Sequence, residues 1–326
     1  MNRRRRRGGC LILIVALLLI LGGLIELRRW GGPGPGSANT SIVVAPGSSL
    51  YLTANALERA HVIRSAQEFV LLSKVFGGSA SIKAGEYRFV AHQSARDVLA
   101  TLQGGRTLQK MVTIPEGIAA VEVYDRLMQA PDLVGEIQVP VEGSVLPDTY
   151  AYVRGDTRQS VLDRMQKAMV DYLARAWQRR KPGIAVNNPR DALILASIVE
   201  KETSKASERR MVAAVYSNRL KIGMPLQADP TIIYPITHGK PLGRRILVSE
   251  REARNDYNTY QMTGLPKGPI ANPRRESIDA VLDPAASGAI YFVADGTGGH
   301  VFANTLEQHN ANVQKWYAIR RAKGEM

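Results

Sequence analysis

Two glutamates at the end of an apolar stretch are the residues of this sequence best placed to do chemistry. Residues 192–199 read ALILASIV, apolar or small on every side, and Glu200 and Glu202 follow them closely. A carboxylate in apolar surroundings is unfavourable unless it is paired, and burial raises its pKa, so it stays protonated near neutral pH. A protonated carboxylic acid is the donor that cleavage of a glycosidic bond requires.

Only one of these glutamates can face a given pocket, because helical residues two apart point about 200° away from each other. Leu195, Ile198 and Val199 form the bulkier apolar face, which lies in the turns before Glu202. We therefore predict that Glu202 is the acid, and that Glu200 is solvent-facing or paired with an arginine. The alternative is that both glutamates form ordinary surface ion pairs at a helix end.

The helix that must carry these glutamates has a clear start signal. Asn188 is a favourable cap residue, Pro189 suits the first helical position, and Asp191 places an acid in the first turn. A second helix is predicted from about residue 207 to residue 221, and Gly223 ends it.

Three loops beyond this second helix are rich in amides, hydroxyls and tyrosines. Such side chains suit sugars, because amides bond to neighbouring hydroxyls and aromatic rings cover the apolar face of a pyranose. The alternative interpretation of each loop is a turn with a core tyrosine. The candidate substrate-binding residues are Gln227, Asp229, Asn258 and Tyr260.

The histidines and the single cysteine give no sign of a metal centre. The five histidines show no close metal-ligand spacing, and one cysteine excludes both an intrachain disulfide framework and a multi-cysteine site. We expect no metal and no cofactor. For His300 and His309 we expect hydrogen-bonding roles in loops.

The first 29 residues predict a membrane anchor. Residues 3–7 are five arginines, and residues 10–25 are all apolar or glycine, enough for about 24 Å of helix. Because the basic cluster comes first, the N-terminus is expected in the cytoplasm and the rest outside it. The alternative is a cleaved signal peptide. Either way, the net charge of +14 favours an extracytoplasmic anionic polymer over nucleic acid.

The chain of 326 residues is long enough for two domains beyond this segment. We predict an α+β protein with an N-terminal transmembrane helix, a small LysM-like α+β module and a larger α+β catalytic domain with a central cleft. The predicted parts are a cytoplasmic basic tail (1–9), a transmembrane helix (10–27), a flexible tether (28–40), the LysM-like module (41–105) and the catalytic domain (106–326).

The tether and the small module rest on different signals. Residues 31–40 read GGPGPGSANT, which cannot form a core and is typical of a linker. Residues 41–105 predict the order strand–helix–helix–strand–helix, with Ser65 and Ser94 as helix caps. This order resembles that of glycan-binding LysM domains, and a plain spacer domain is the alternative.

Several ordered segments together resemble the endolytic murein transglycosylase family, also called YceG-like. The likeness covers about residues 110–320, and the second glutamate of its EKET segment, Glu202 here, corresponds to the family's catalytic residue. Pro235 is one departure from the family pattern, and it affects loop shape only. The segments are ASIVEKET, ASER, NRLKIGM, LQADPTIIY, YNTY, TGLPKGPIANP and YFVADGTGGHVF…HN.

The resemblance implies cleavage of the β-1,4 bond between N-acetylmuramic acid (MurNAc) and N-acetylglucosamine (GlcNAc) in peptidoglycan, without water, to leave 1,6-anhydro ends. Glu202 would act first as acid and then as base, while the four polar loop residues position the sugars. It further implies an enzyme of the inner membrane, crossing it once, with its catalytic domain in the periplasm. There it would trim or terminate nascent strands near penicillin-binding proteins.

Other functions remain as alternatives at this point. One is a muramidase, which would hydrolyse the same bond with Glu202 and a second carboxylate such as Asp229. Another is a non-catalytic, membrane-anchored scaffold that binds glycan. A DNA-binding protein is suggested only by the positive charge, and the predicted export opposes it.

Overall fold

The chain is divided into two compact units. A computed structural model describes residues 3–45, 47–78 and 80–324, with side chains from residue 14 onwards. The first unit comprises the residues up to Lys110 together with Tyr152–Gly155, and the second comprises Met111–Ala151 and the residues from Asp156 onwards. Helices and two-stranded sheets are mixed along the chain, which confirms the predicted α+β class.

The first unit follows the predicted order of elements. Its elements are α1 (Arg3–Gly31), β1 (Thr40–Val44), α2 (Leu50–Arg59), α3 (Ala66–Phe76), β2 (Gly85–Phe89) and α4 (Ala95–Gly104). Ser65 and Ser94 cap α3 and α4 by accepting hydrogen bonds from backbone N–H groups, as predicted. Strands β1 and β2 pair antiparallel, with Ile42 opposite Tyr87. The likeness to a LysM domain stays a prediction.

The structure contradicts the flexible tether that was predicted for residues 28–40. Trp30 is only 3% exposed, in the same core cluster as Phe69, so residue 30 belongs to the first unit's core. The backbone of Gly34 bonds to that of His92 at 3.0 Å, and a Cβ at Gly34 would collide with the carbonyl of Gln93. The glycine-rich composition of residues 31–40 suggested a flexible chain, but glycine also allows two backbones to approach closely.

The predicted membrane helix overlaps α1. Residues 1–9 and 10–13 of that prediction lie outside the residues whose side chains are described. Within the described part of the chain, no helix combines the length and the apolar character needed to cross a bilayer. The anchor therefore stays a proposal.

The second unit is mainly helical. The elements from residue 110 onwards are β3 (Lys110–Thr113), α5 (Ala120–Gln129), β4 (Thr149–Tyr152), α6 (Arg158–Gln178), α7 (Pro189–Glu202), α8 (Arg209–Lys221), α9 (Pro230–Thr237), α10 (Val248–Glu252), α11 (Arg275–Leu282), β5 (Tyr291–Ala294), β6 (His300–Ala303) and α12 (Leu306–Ala322). Strand β3 pairs with β4, and β5 with β6.

Helix α7 is the centre of the second unit. It begins as predicted, with Asn188 accepting a hydrogen bond from the N–H of Asp191 and Pro189 at the first turn. Helices α6, α8 and α11 pack around it, and its residues from Ile194 to Glu200 are all buried. The Ser197 hydroxyl accepts a hydrogen bond from the N–H of Ile270 at 3.0 Å, which ties the helix to the loop before α11.

We predict that Trp30→Ala destabilises the protein by about 3–5 kcal/mol, the usual cost of removing a buried tryptophan. Its ring centroid lies 5.8 Å from that of Phe69 and 6.4 Å from that of Phe76, so a cavity would be left between them. Leu27→Ala on the same helix is the control, because Leu27 is 49% exposed. The measurement is the urea concentration at the midpoint of unfolding of each full-length variant. Equal midpoints for the two variants would contradict the packing of Trp30 in the core and support the flexible tether.

Candidate active site

The two glutamates at the end of α7 have different surroundings. Glu200 is 7% exposed, and its carboxylate accepts hydrogen bonds from the Arg274 side chain at 2.8 and 2.9 Å. The Arg274 backbone N–H and the Ser277 hydroxyl also donate to it, at 3.0 and 2.7 Å. The predicted pairing with an arginine is therefore confirmed, and the solvent-facing alternative is wrong. A carboxylate satisfied in this way is a structural group that joins α7 to α11.

Glu202 lies instead on a cavity of about 290 Å³. Its side chain is half-buried, so it is surrounded by protein and still reachable from the cavity. The residues that line this cavity with it, which we call the catalytic cavity, are Tyr216, Arg219, Gln227, Asp229, Tyr260, Phe292 and His309. Three of the four predicted substrate-binding residues thus lie beside the predicted acid.

Burial raises the pKa of Glu202 to about 7, and the negative charge of Asp229 acts in the same direction. A hydrogen bond from Tyr216 and the positive charge of Arg219 oppose this rise without cancelling it. A carboxyl group with a pKa near 7 can give up a proton and take it back at neutral pH, which suits a general acid and base.

Helix α8 supplies the two side chains beneath this carboxyl group. Tyr216 and Arg219 are buried and lie one turn apart. Burial and the neighbouring Glu202 raise the pKa of Tyr216, so its hydroxyl stays protonated and donates to Glu202. Arg219 donates to the backbone oxygens of Leu226 at 2.6 Å and of Ile290 at 2.7 Å. Its guanidinium thereby fixes two cavity segments and keeps a positive charge near Glu202.

A short hydroxyl network joins the two polar loops that were predicted to bind substrate. The hydroxyls of Thr231 and Thr259 lie 2.8 Å apart, and both are fully buried. The N–H of Ala228 donates to the Thr259 hydroxyl at 3.0 Å, and the N–H of Gln227 donates to the Thr259 carbonyl at 3.1 Å. Residues far apart in sequence are thereby held as one wall of the cavity.

Gln227 and Asp229 present their side chains from this wall. Gln227 has a φ of 52°, a left-handed conformation that is costly for a residue with a Cβ, and it persists because the backbone bonds around it hold it there. The Tyr260 hydroxyl donates to Asp229 at 2.7 Å. Burial and this hydrogen bond raise the pKa of Tyr260, so it remains a donor and orients the Asp229 carboxylate.

Asn258 is placed differently from its three partners. It is fully buried, and its side-chain N–H groups donate to the backbone oxygens of Arg251 at 2.9 Å and Ala253 at 2.7 Å. Its side-chain oxygen accepts from the N–H of Tyr260 at 3.0 Å. It is not among the residues that line the catalytic cavity, and the structure assigns it the shaping of the loop that carries Tyr260.

Four cavity residues were not predicted as site residues. Tyr216 and Arg219 had a usable signal, since an arginine on an otherwise apolar helix face indicates a buried charge. Phe292 comes from β5, and nothing in its local sequence indicates contact with α7. The expected loop position of His309 is wrong: His309 lies on α12, and its ring stacks on that of Tyr291 with the centroids 5.0 Å apart. Burial and the charge of Arg219 lower the pKa of His309, so the imidazole is neutral at neutral pH.

The cavity therefore combines one carboxyl group that titrates near pH 7, a fixed guanidinium and an oriented carboxylate. In the described ranges of the chain, no group of three or more His, Cys, Asp or Glu side chains is arranged to hold a metal ion. The residues present can transfer a proton and stabilise a developing charge.

Comparison with known proteins relates the chain to one family. Residues 42–315 match the YceG-like family. The endolytic murein transglycosylase of Bacillus subtilis is 29% identical over 87% of this chain and 86% of its own length. That of Streptococcus pneumoniae is 30% identical over 84% of this chain, and this match spans 57% of the pneumococcal protein. The crystal structure of a YceG-like protein from Listeria monocytogenes covers 84% of this chain, with a TM-score of 0.52 and 27% identity.

We predict that Glu202→Gln becomes more stable relative to the wild type as the pH rises from about 5 to about 8. The raised pKa means that the folded state holds the Glu202 proton more tightly than the unfolded state does. The wild type therefore loses stability as the pH rises towards 7, and glutamine cannot lose it. The measurement is the free energy of unfolding at several pH values.

Glu200→Gln is the matched control, with the opposite expectation. It removes the charged partner of Arg274, so the variant should be less stable than the wild type across the same pH range. If the two variants showed the same pH dependence, the structural distinction between the two glutamates would not hold.

Proposed function

Because the chain belongs to the YceG-like family, we propose that it acts on the glycan strands of peptidoglycan and cleaves them internally. It is a lytic murein transglycosylase, the enzyme class for which its relatives from Bacillus subtilis and Streptococcus pneumoniae are named. The observation that carries the proposal is the position of Glu202, a carboxyl group with a pKa near 7 on the wall of an open polar cavity.

The first half of the proposed reaction is a proton transfer. Protonated Glu202 donates to the oxygen that links C1 of MurNAc to O4 of the next GlcNAc. The C1–O4 bond breaks, the GlcNAc side leaves with a new 4-hydroxyl, and positive charge develops at C1 and the ring oxygen. Glu202 is then a carboxylate close to that charge, which it stabilises.

The second half returns the proton. The 6-hydroxyl of the same MurNAc attacks C1, a C1–O6 bond forms, and the hydroxyl proton passes to the Glu202 carboxylate. The product carries a 1,6-anhydro end, no water is consumed, and the enzyme regains its starting state. Since the nucleophile is part of the substrate, its effective concentration is high, and one carboxyl group suffices for both steps.

The other cavity residues have roles that follow from their charge and placement. The carboxylate of Asp229, held by the Tyr260 hydroxyl, favours the positive charge that develops at C1. The amide of Gln227 suits a pair of sugar hydroxyls, and the ring of Phe292 offers an apolar face for a pyranose. Arg219 limits how far the pKa of Glu202 rises.

A muramidase is the second candidate, because Asp229 lines the same cavity as Glu202. A hydrolase of this kind would use Asp229 to activate water or to attack C1, and it would leave reducing ends. The hydrogen bond from Tyr260 engages one Asp229 oxygen, which is then not free to bind an attacking water, and this favours the transglycosylase. Product chemistry separates the two directly.

We also propose that the enzyme is anchored in the inner membrane by its N-terminal segment. The support is the five arginines followed by an apolar run, which together favour a cytoplasmic N-terminus and a periplasmic catalytic domain. An enzyme placed there would meet newly made strands first, and penicillin-binding proteins would be its neighbours. A LysM-like first unit would add glycan affinity near the membrane.

The decisive test is mass spectrometry of the muropeptides that the full-length enzyme releases from purified peptidoglycan. The wild type is expected to yield 1,6-anhydro-MurNAc ends, and Glu202→Gln to yield at least about 100-fold less, the usual range for loss of a general acid. Glu122→Gln is the control and should keep its activity, because Glu122 does not line the catalytic cavity and a glutamine can still accept the hydrogen bond from the Ala119 N–H. Reducing ends from the wild type would make the protein a muramidase.

The pH profile gives an independent prediction. Since Glu202 must be protonated to start the reaction, kcat/KM should fall about tenfold per pH unit above about pH 7. The substrate's own carboxylates ionise well below this range and do not contribute to the fall. Initial rates between about pH 6 and about pH 9 would measure it, and a flat profile up to pH 9 would rule out Glu202 as the acid.

A further inference from the structure

A second cavity in the second unit, of about 230 Å³, is not used by the proposed mechanism. Its lining is largely apolar, with two lysines among the apolar residues. We call it the lysine cavity, and the residues that line it include Lys201, Pro230, Ile233, Tyr234, Lys240 and Leu242.

The lysine cavity is a direct neighbour of the catalytic cavity. Lys201 and Pro230 line the lysine cavity. Their chain neighbours Glu202 and Asp229 line the catalytic cavity. Consecutive residues therefore line different cavities at both places, which makes the two cavities neighbours. A ligand that extends from the catalytic cavity has the lysine cavity beside it.

The two lysines give the lysine cavity an affinity for anions. Lys201 Nζ donates to the carbonyl oxygen of Gly117 at 3.3 Å, so its charge is available to a ligand. Lys240 Nζ lies 3.5 Å from Asp125, in a pair in which both side chains are about half exposed. Such exposed pairs are weak and give way readily to a ligand carboxylate.

The acidic group behind this cavity is largely screened. Glu142 accepts hydrogen bonds from the N–H of Ala120 at 2.9 and 3.2 Å and lies next to Tyr234. Burial raises its pKa to about 7, so it carries only part of a negative charge at neutral pH. The cavity therefore presents the charge of Lys201, which contacts a carbonyl oxygen and no carboxylate among the described ion pairs, beside an apolar floor.

We propose that the lysine cavity binds the peptide stem of the muramic acid whose bond is cleaved. This inference rests on the proposed function and adds a second recognition element to it. The stem is a short peptide with alanine methyl groups and free carboxylates, so the methyl groups match Ile233 and Leu242, and the carboxylates match Lys201 and Lys240.

The geometry of the substrate fits this assignment. The stem leaves the lactyl group of MurNAc, the sugar that must sit with its C1 next to Glu202. An extended peptide of four residues spans about 13–14 Å, a length suited to reaching from one cavity to its neighbour. A strand without stems keeps only the lactyl carboxylate, which is held close to the sugar ring, and it has no peptide methyl groups. The stem places its carboxylates and methyl groups further from the ring, so the lysine cavity favours the stem over another sugar.

The test compares two substrates, glycan strands with intact stems and the same strands after an amidase has removed the stems. The variant is Lys240→Glu, which reverses one charge of the lysine cavity. For strands with stems, KM should rise about tenfold, the effect of losing one charge-assisted contact, with kcat unchanged. For bare strands, both constants should stay as in the wild type.

Lys167→Glu is the matched control. Lys167 is exposed and paired with Asp171 at 2.9 Å, as Lys240 is paired with Asp125, but it lies on α6 and lines neither cavity. It should leave KM unchanged for both substrates. An equal rise in KM on both substrates for Lys240→Glu, or no rise on either, would overturn the stem assignment.

A binding measurement separates this inference from the proposed reaction. Calorimetry with the Glu202→Gln variant compares muramyl peptide with muramic acid alone, in the presence and absence of Lys240→Glu. Preferential binding of muramyl peptide that Lys240→Glu abolishes supports the stem assignment even where turnover is absent. If wild-type enzyme produces anhydro ends but the inactive variant binds both ligands equally, the reaction stands and the stem assignment fails.

Discussion

The chemistry of this protein depends on the burial of one helix end. Helix α7 is surrounded by α6, α8 and α11. A buried helix of this kind can end in two carboxyl groups only if each is either paired with a cation or kept protonated. Glu200 is neutralised by Arg274 and Ser277, which also fasten α7 to α11. Glu202 has no such cation in direct contact among the residues described, and its proton takes the place of a partner. The same burial thus yields a structural ion pair at one residue and an acid two residues later.

Several of the groups that form the cavity around Glu202 are bonded to the protein before any substrate arrives. Thr231 and Thr259 lock one loop to another, Asn258 shapes the turn before Tyr260, and Arg219 joins α8 to the backbone on two sides. Preorganised groups of this kind need not rearrange when charge develops on a substrate. The strained backbone of Gln227 is part of this arrangement, since only a firmly held wall maintains it.

Local sequence patterns predicted the features that short-range physics decides. The caps of α3, α4 and α7 follow from single side chains bonding to nearby N–H groups, and the different surroundings of Glu200 and Glu202 follow from helical geometry. The choice of Glu202 as the acid stays a prediction. Local patterns could not show that Tyr260 lines the cavity and Asn258 does not, because residues close together in a loop can face opposite directions. Phe292 and His309 reach the cavity only through tertiary packing of β5 and α12, which leaves no local signal. The tether prediction for residues 31–40 was wrong because a glycine-rich composition is compatible with close backbone packing as well as with flexibility.

The packing of Trp30 changes what the start of this chain can do mechanically. Trp30 lies in the last turn of α1 and is also part of the hydrophobic core of the first unit, and the segment after it is bonded to the backbone at His92. A force applied to α1 would therefore be transmitted directly to the core of the first unit, because no flexible linker lies between them.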